Sequence, residues 1–192
     1  LFVDDSLGKI AGTLPMSAIN WKGSAQTKQP AILVNFRSFA TDCGRAALLC
    51  AAEVSDSTLI QGQGMHGSFS RADTANFMAA IGPSFQRGLK DPTPVSNADV
   101  GATIAGLLGL APRSKGKLTG RVMTEALQGG KPVAFEHLTM TSDPGPGGLV
   151  TVLQYQKAGS RLYFDAAGFP GRTVGLPGTR REGKVPGSAS SR

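Results

Sequence analysis

The segment "LVTVLQYQKAGSRLYFDAAG" leaves the chain little freedom near its C-terminal end. Two β-rich runs, "LVTVLQYQ" and "RLYFDAAG", flank Lys157-Ala158-Gly159-Ser160. Polar and apolar residues alternate along both, as in strands with one buried face, and the connection is short and contains glycine. That combination predicts a β-hairpin.

Upstream, "PAILVNFRSF" carries a near-continuous apolar run, Ile32, Leu33, Val34 and Phe36. Such a run predicts a strand buried on both faces. "AAEVSDSTLI" predicts a further short strand or extended segment, and Phe77 to Ile81, closed by "GPSF", a second buried strand. "PVSNADVGATIAGLLGL" predicts the clearest helix. Ser96 or Asn97 can cap it, and Asp99 in its first turn suits the positive end of the helix dipole. Val100, Ile104, Leu107 and Leu108 recur at spacings of three and four, so one apolar face is expected. Gly109 and Pro112 end it. "GRVMTEAL" predicts a short helix. Strand, loop, strand and helix in this order predict α/β layering. Two central strands cannot complete such a sheet, so part of a larger domain is expected. The opening "LFVDDSLGKI", without an initiator Met or the basic and apolar start of a signal peptide, agrees with that expectation.

A length of 192 residues suits one domain, and no apolar run approaches the roughly 20 residues that span a bilayer, so no membrane partner is expected. The 26 glycines and 12 prolines cluster in loops and in the C-terminal third. Net charge is +7. Lys and Arg are scattered, however, and no aromatic residues are interleaved with them to stack on bases. Specific nucleic-acid binding is therefore not expected. The densest basic stretch, "GTRREGKVPGSASSR", predicts a disordered basic tail over residues 177–192.

Cys43 and Cys50 are the two cysteines, with six residues between them. A zinc knuckle usually has two to four and needs a second ligand pair. A local disulfide is feasible and would imply an oxidising compartment. Two buried free thiols are the alternative.

His66 lies in "QGQGMHGSFS", between Gly64 and Gly67 and next to Ser68. The glycines allow a tight turn that leaves the ring accessible. Strand-end loops are where α/β proteins place their sites, and imidazole is the commonest zinc-binding side chain. Yet zinc needs three or four ligands, and no HxxxH or HxD spacing surrounds this residue. From the residues alone, a metal ligand and a structural or surface histidine both remain open. His137, in "FEHLTM", lacks any glycine context and is expected to be structural.

"GMHGSFSRADTANFMAAIGPSF" followed by "PVSNADVGATIAGLLGL" resembles the C-terminal part of the alkaline phosphatase superfamily. It is most similar to the branch of type I phosphodiesterases and nucleotide pyrophosphatases. In that branch a G-x-HG motif precedes a strand ending in GP-x-F. An N-x-(D/E)-V helix with a short "LLG" end follows. Gly64-Met65-His66-Gly67, Gly82-Pro83-Ser84-Phe85, Asn97-Ala98-Asp99-Val100 and Leu107-Leu108-Gly109 match in order. "GTLP", Gly12 to Pro15, and "PAILVNF" are similar to bacterial members. The resemblance runs from about Gly8 to Gly109, and "YFDAAGFPGRTVGL" extends it loosely.

The resemblance implies that residues 1–176 are the C-terminal portion of an α/β/α sandwich ending in a β-hairpin. It implies that His66 is the last zinc ligand of a two-metal hydrolase acting on a phosphoester in the periplasm or outside the cell. The family's nucleophile and remaining metal ligands would lie upstream, so no catalytic residue is expected within this chain, and the chain alone is expected to be inactive. Two other readings stand beside it: a non-catalytic binding or interaction protein retaining the fold remnant, and a basic nucleic-acid-binding module whose binding would weaken steeply with salt.

Overall fold

Antiparallel pairing of three strands between Phe135 and Gly168 organises the C-terminal part of the molecule. The structure is a computed structural model that describes residues 1–21, 28–45, 48–53, 58, 60, 67–113 and 119–178. The earlier strands are β1 (Phe2–Val3), β2 (Leu14–Pro15), β3 (Ile32–Leu33), β4 (Ser38–Thr41) and β5 (Cys50–Glu53). The helices are α1 (Arg71–Thr74) and α2 (Asn97–Leu107), followed by β6 (Phe135–Thr141), β7 (Val152–Ala158) and β8 (Arg161–Gly168). Among the described residues this is a mixed α/β chain with small sheets and few helices.

The expected hairpin is present as β7 and β8, with Leu153 opposite Ala167 and Ala158 opposite Arg161. A register shift sets Gln154 against Ala166 but Tyr155 against Phe164, leaving Asp165 as the extra residue of a bulge. Its carbonyl, released from the ladder, accepts the Thr74 hydroxyl. The third strand, β6, was not expected from the sequence. It is an edge strand with most of its side chains exposed, so it carries little of the alternation that marks a half-buried strand.

The N-terminal residues cover the inner face of the hairpin. β1 pairs in parallel with β2 and antiparallel with β3, with Pro15 on an edge strand where a missing N–H is tolerated. Phe2, Leu14, Met16 and Ile19 form one buried cluster with Leu153 and Ala167, and Phe69, Tyr155 and Phe164 pack around it. Gly12 makes the approach possible. Its φ is +84°, and a Cβ there would lie 3.1 Å from the Gly145 Cα. Its N–H donates to the Asp143 carbonyl at 2.8 Å, and its own carbonyl accepts the Thr151 hydroxyl at 2.6 Å.

Three expectations are overturned. "PAILVNFRSF" is not one strand buried on both faces. It divides into β3 and β4, and Ile32, Val34 and Phe36 are exposed. Asn35 interrupts the run: its side-chain amide donates to the Ala167 carbonyl at 3.1 Å and its oxygen accepts the Phe69 N–H at 3.0 Å. Among the described residues, β4 then pairs only with β5.

Phe77 to Ile81 is not a buried strand. It has no regular structure, and Phe77 and Ile81 are 92% and 99% exposed. The chain first closes the short helix α1, and no strand among the described residues offers the later segment a ladder.

Helix α2 lies where expected, but its apolar stripe does not pack on a sheet. Val100 and Leu107 are exposed, Ile104 is 51% exposed and Leu108 66%, while Asp99 and Thr103 are the buried positions. Polar bonds decide this orientation. The Asp99 carboxylate accepts the N–H groups of Ser96 and Arg121, at 2.9 and 2.8 Å, and the Thr103 hydroxyl accepts the Met123 N–H at 3.0 Å.

"GRVMTEAL" forms a single 3-10 turn, Thr124–Ala126. Of the expected tail, residues 179–192 lie outside the described residues.

Candidate functional site

The sequence places His66 at the centre of the site, and His66 lies outside the described residues. The chain that follows it is described and firmly anchored. Gly67 is exposed with φ at +95°, and a Cβ there would meet nothing within 4 Å. Backbone conformation, rather than space, therefore demands glycine at this position.

Ser68 comes next. Its N–H donates to Asp73 Oδ2 at 2.9 Å, and its hydroxyl oxygen accepts the Ser70 N–H at 3.1 Å. Glu53, at the end of β5, lies near Ser68 and Asp73. Burial raises the Glu53 pKa most; the Ser68 side chain opposes that shift, and the neighbouring Asp73 charge adds to it. Glu53 Oε1 is buried without a hydrogen-bond partner among the described residues.

Phe69 ties this stem to the core. Its carbonyl accepts the Ala167 N–H at 2.9 Å, and its ring sits 5.5 Å from Phe2 and 6.2 Å from Phe164. Ser70 then caps α1, accepting the Ala72 N–H at 3.2 Å. Arg71 donates from its backbone to Val174 and from its guanidinium to Gln154 at 2.8 Å. Residues 68–74 are thus held at several points against the C-terminal sheet.

A cavity of about 810 Å³ borders this stem. Gly67, Ser68, Asn97, Asp99, Arg161 and Tyr163 are among its lining residues. Gly67, the last residue of one motif, and Asn97 and Asp99 of the motif opening α2 therefore border one open space. A third, Gly82-Pro83-Ser84-Phe85, docks elsewhere: Phe85 bridges to Leu127, and Gln128 donates to the Ser84 carbonyl at 2.8 Å.

Behind the cavity lies a buried polar cluster. The Arg121 guanidinium holds the Glu125 carboxylate with two bonds, 2.8 and 2.6 Å, and donates to the Tyr163 hydroxyl at 2.8 Å and the Pro94 carbonyl at 3.1 Å. The Glu125 bond raises the Arg121 pKa, and burial raises that of Tyr163. This cluster joins helix α2 to β8. Its donors are engaged with protein acceptors, which suits a structural clasp rather than a reacting group.

Cys43 and Cys50 are joined as a disulfide with Cα atoms 6.1 Å apart, closing the turn of the β4–β5 hairpin. His137 stands on β6 with its side chain largely exposed, 3.9 Å from the Asp165 carboxylate and packed edge-on to Phe135. Nothing brings it toward the Gly67 stem. Among the described residues, no group of three or more His, Cys, Asp or Glu could hold a metal ion.

Sequence reasoning passed over Asn35, Glu53 and Asp73. Two signals for them were present. Ser70-Arg71-Ala72-Asp73 has the Ser-x-x-acid spacing of a helix start, and Asn35 is a polar break in an apolar run. Glu53 had no local signal, because only the β4–β5 pairing brings it near Ser68. Comparison of the chain with family models, with curated proteins and with solved structures finds no match.

Proposed function

We propose that this chain is the C-terminal portion of a metal-dependent phosphoric ester hydrolase, a phosphodiesterase or phosphatase with the α/β/α sandwich of the alkaline phosphatase superfamily. In it, His66 is one zinc ligand. The ordered motifs motivate the reading, and one structural observation supports it: apolar residues within or between those motifs lie uncovered. Phe77, Ile81, Ile104 and Leu108 are all more than half exposed. A buried strand and an amphipathic helix lacking the layers between which they belong would look like this.

Two divalent metals, when bound, would clamp the attacking and leaving oxygens of a phosphoester and offset the charge that develops. The residues of this chain would supply one ligand and its anchorage. Gly67 turns the backbone, and the bonds at Ser68 and Phe69 fix the chain that follows it. The cavity beside Gly67 and Ser68 gives a substrate room to approach. The Cys43–Cys50 disulfide supports a periplasmic or secreted location, since such bonds persist in oxidising compartments.

Zinc content and phosphodiester hydrolysis test the proposal, measured in the longer protein that carries this segment. His66→Ala should strip most of the zinc and nearly all activity, whereas His137→Ala should leave both near normal. Normal zinc content and turnover in His66→Ala would overturn the reading. Residues 1–192 alone, supplied with zinc, should not hydrolyse a generic phosphodiester above background. Turnover by this chain that is lost in His66→Ala would show that it is not a portion of a larger site.

A further inference from the structure

A second cavity, of about 700 Å³, shares Tyr163 and Phe164 with the one beside Gly67. Its volume falls within the roughly 300–1,000 Å³ of small-molecule sites. Leu89, Met123 and Phe164 give it apolar wall. Four charged side chains also line it: Arg71, Lys90, Asp91 and Asp165. Their formal charges cancel, but their partners differ. Both acids are engaged by protein donors. Asp91 Oδ1 accepts the Thr93 N–H at 2.9 Å. Asp165 Oδ1 accepts the Gln156 amide at 2.7 Å, and its other oxygen lies 3.9 Å from His137 Nδ1. The cations are not matched in this way. The Arg71 guanidinium donates to the neutral Gln154 oxygen at 2.8 Å and is in no ion pair among the described residues. Lys90 is in no ion pair or side-chain hydrogen bond among them. The donors left over at this cavity therefore sit on cations, and their best acceptor is a group that carries negative charge.

From this asymmetry we propose that the cavity binds a small organic anion, an apolar body with one acidic head group. The body lies against Leu89, Met123 and Phe164, and the head group takes the free donors of Lys90 and Arg71. The two cations contribute differently. Arg71 is already held, by its backbone bond to the Val174 carbonyl at 2.8 Å and by Gln154 on β7, so its fork is ordered before a ligand arrives. Lys90 is exposed and free to turn toward the head group. The wall and the cations together discriminate: a neutral apolar molecule leaves the cations unused, and a bare inorganic anion leaves the wall uncovered. The site depends neither on His66 nor on the hydrolase reading.

The test titrates residues 1–192 with two fluorescent probes. Anilinonaphthalene sulfonate has an aromatic body and an acidic head, and phenylnaphthylamine is the same body without the charge. The sulfonate should saturate a single site and bind about 10-fold or more tighter than the amine, the worth of a hydrogen bond to a charged group. Lys90→Gln should weaken the sulfonate by about 5-fold or more and leave the amine unchanged, while Lys90→Arg keeps most of the affinity. Lys131→Gln, which removes an exposed charge outside the cavity lining, should alter neither probe. In amide NMR spectra the sulfonate should shift Lys90 and Tyr163 and spare Ile104 and Leu108. Equal affinity for the two probes, or no saturable binding of the sulfonate, would overturn the site. So would a Lys131→Gln effect as large as that of Lys90→Gln, because it would mean general attraction to a basic chain. Binding lost in Ile104→Ser but kept in Lys90→Gln would put the sulfonate on the exposed α2 stripe and overturn it too.

Discussion

Leu153 and Ile104 are both aliphatic residues within regular elements, yet Leu153 is fully buried in β7 and Ile104 is half exposed on α2. The regions around them differ in the same way. The hairpin β7–β8 finds the N-terminal residues against its inner face, and the alternation of these two strands matches a real interior. The stretch from Phe77 to Leu110 has a strong apolar pattern but keeps Phe77, Ile81, Val100, Ile104, Leu108 and Leu110 exposed. What holds α2 is polar: Asp99, Thr103 and the Arg121–Glu125 pair behind them. Apolar patterning therefore marks a surface suited to burial, and burial follows only where a complementary surface is within reach of the same chain.

The sharpest way to break this comparison is to remove one partner from the polar clasp. Glu125→Ala leaves the Arg121 guanidinium largely buried without its carboxylate, and breaking such pairs costs about 3–5 kcal/mol. Denaturant unfolding of residues 1–192 should show that loss, and a change below about 1 kcal/mol would mean the clasp is not what holds α2. Next in size is the hydrophobic anchor of the β7–β8 hairpin. Leu153→Ala should destabilise by about 3 kcal/mol, read from the same unfolding curves, because it opens a cavity among Phe2, Met16 and Ala167.

A smaller effect is expected at the β4–β5 hairpin. Its loop is short, so chain entropy gives about 2.5 kcal/mol for the Cys43–Cys50 bond. Unreduced protein made in an oxidising compartment should show a mass two hydrogens lower than the reduced form. The Cys43→Ser/Cys50→Ser double variant should unfold at lower denaturant. Two freely alkylated thiols in the native protein would refute the bond.

The smallest effects should come from the uncovered region. Ile104→Ser and Phe77→Ser should each change the stability of residues 1–192 by less than about 0.5 kcal/mol. In the longer hydrolase proposed above the order should reverse, with Phe77→Ser among the most damaging changes, because there the segment would enter a sheet. Equal and small effects in both settings would remove the structural support for a missing layer.

The elements legible in the sequence were those written in local chemistry. Gly159 at positive φ between two alternating runs specifies the hairpin, and Ser96, Asp99 and Gly109 bound α2, because turn and cap preferences act over a few residues. The cysteine spacing left a bridge feasible for the same local reason. Of the candidate site, His66 could be singled out by its glycines, but the contacts of Asn35 with Phe69 and of Glu53 near Ser68 could not, since they join residues distant in sequence. The fate of each apolar face was equally hidden. "ILVNF", Phe77 to Ile81 and the Val100–Ile104–Leu108 stripe all read as interior, yet Ile32, Val34 and Phe36 in the first, Phe77 and Ile81 in the second and the whole stripe are exposed. Periodicity encodes which residues share a face, a property of a few turns of chain. Whether that face is covered depends on which distant segments fold against it, and here the bond donated by Asn35 and those accepted by Asp99 and Thr103 turned polar positions inward instead.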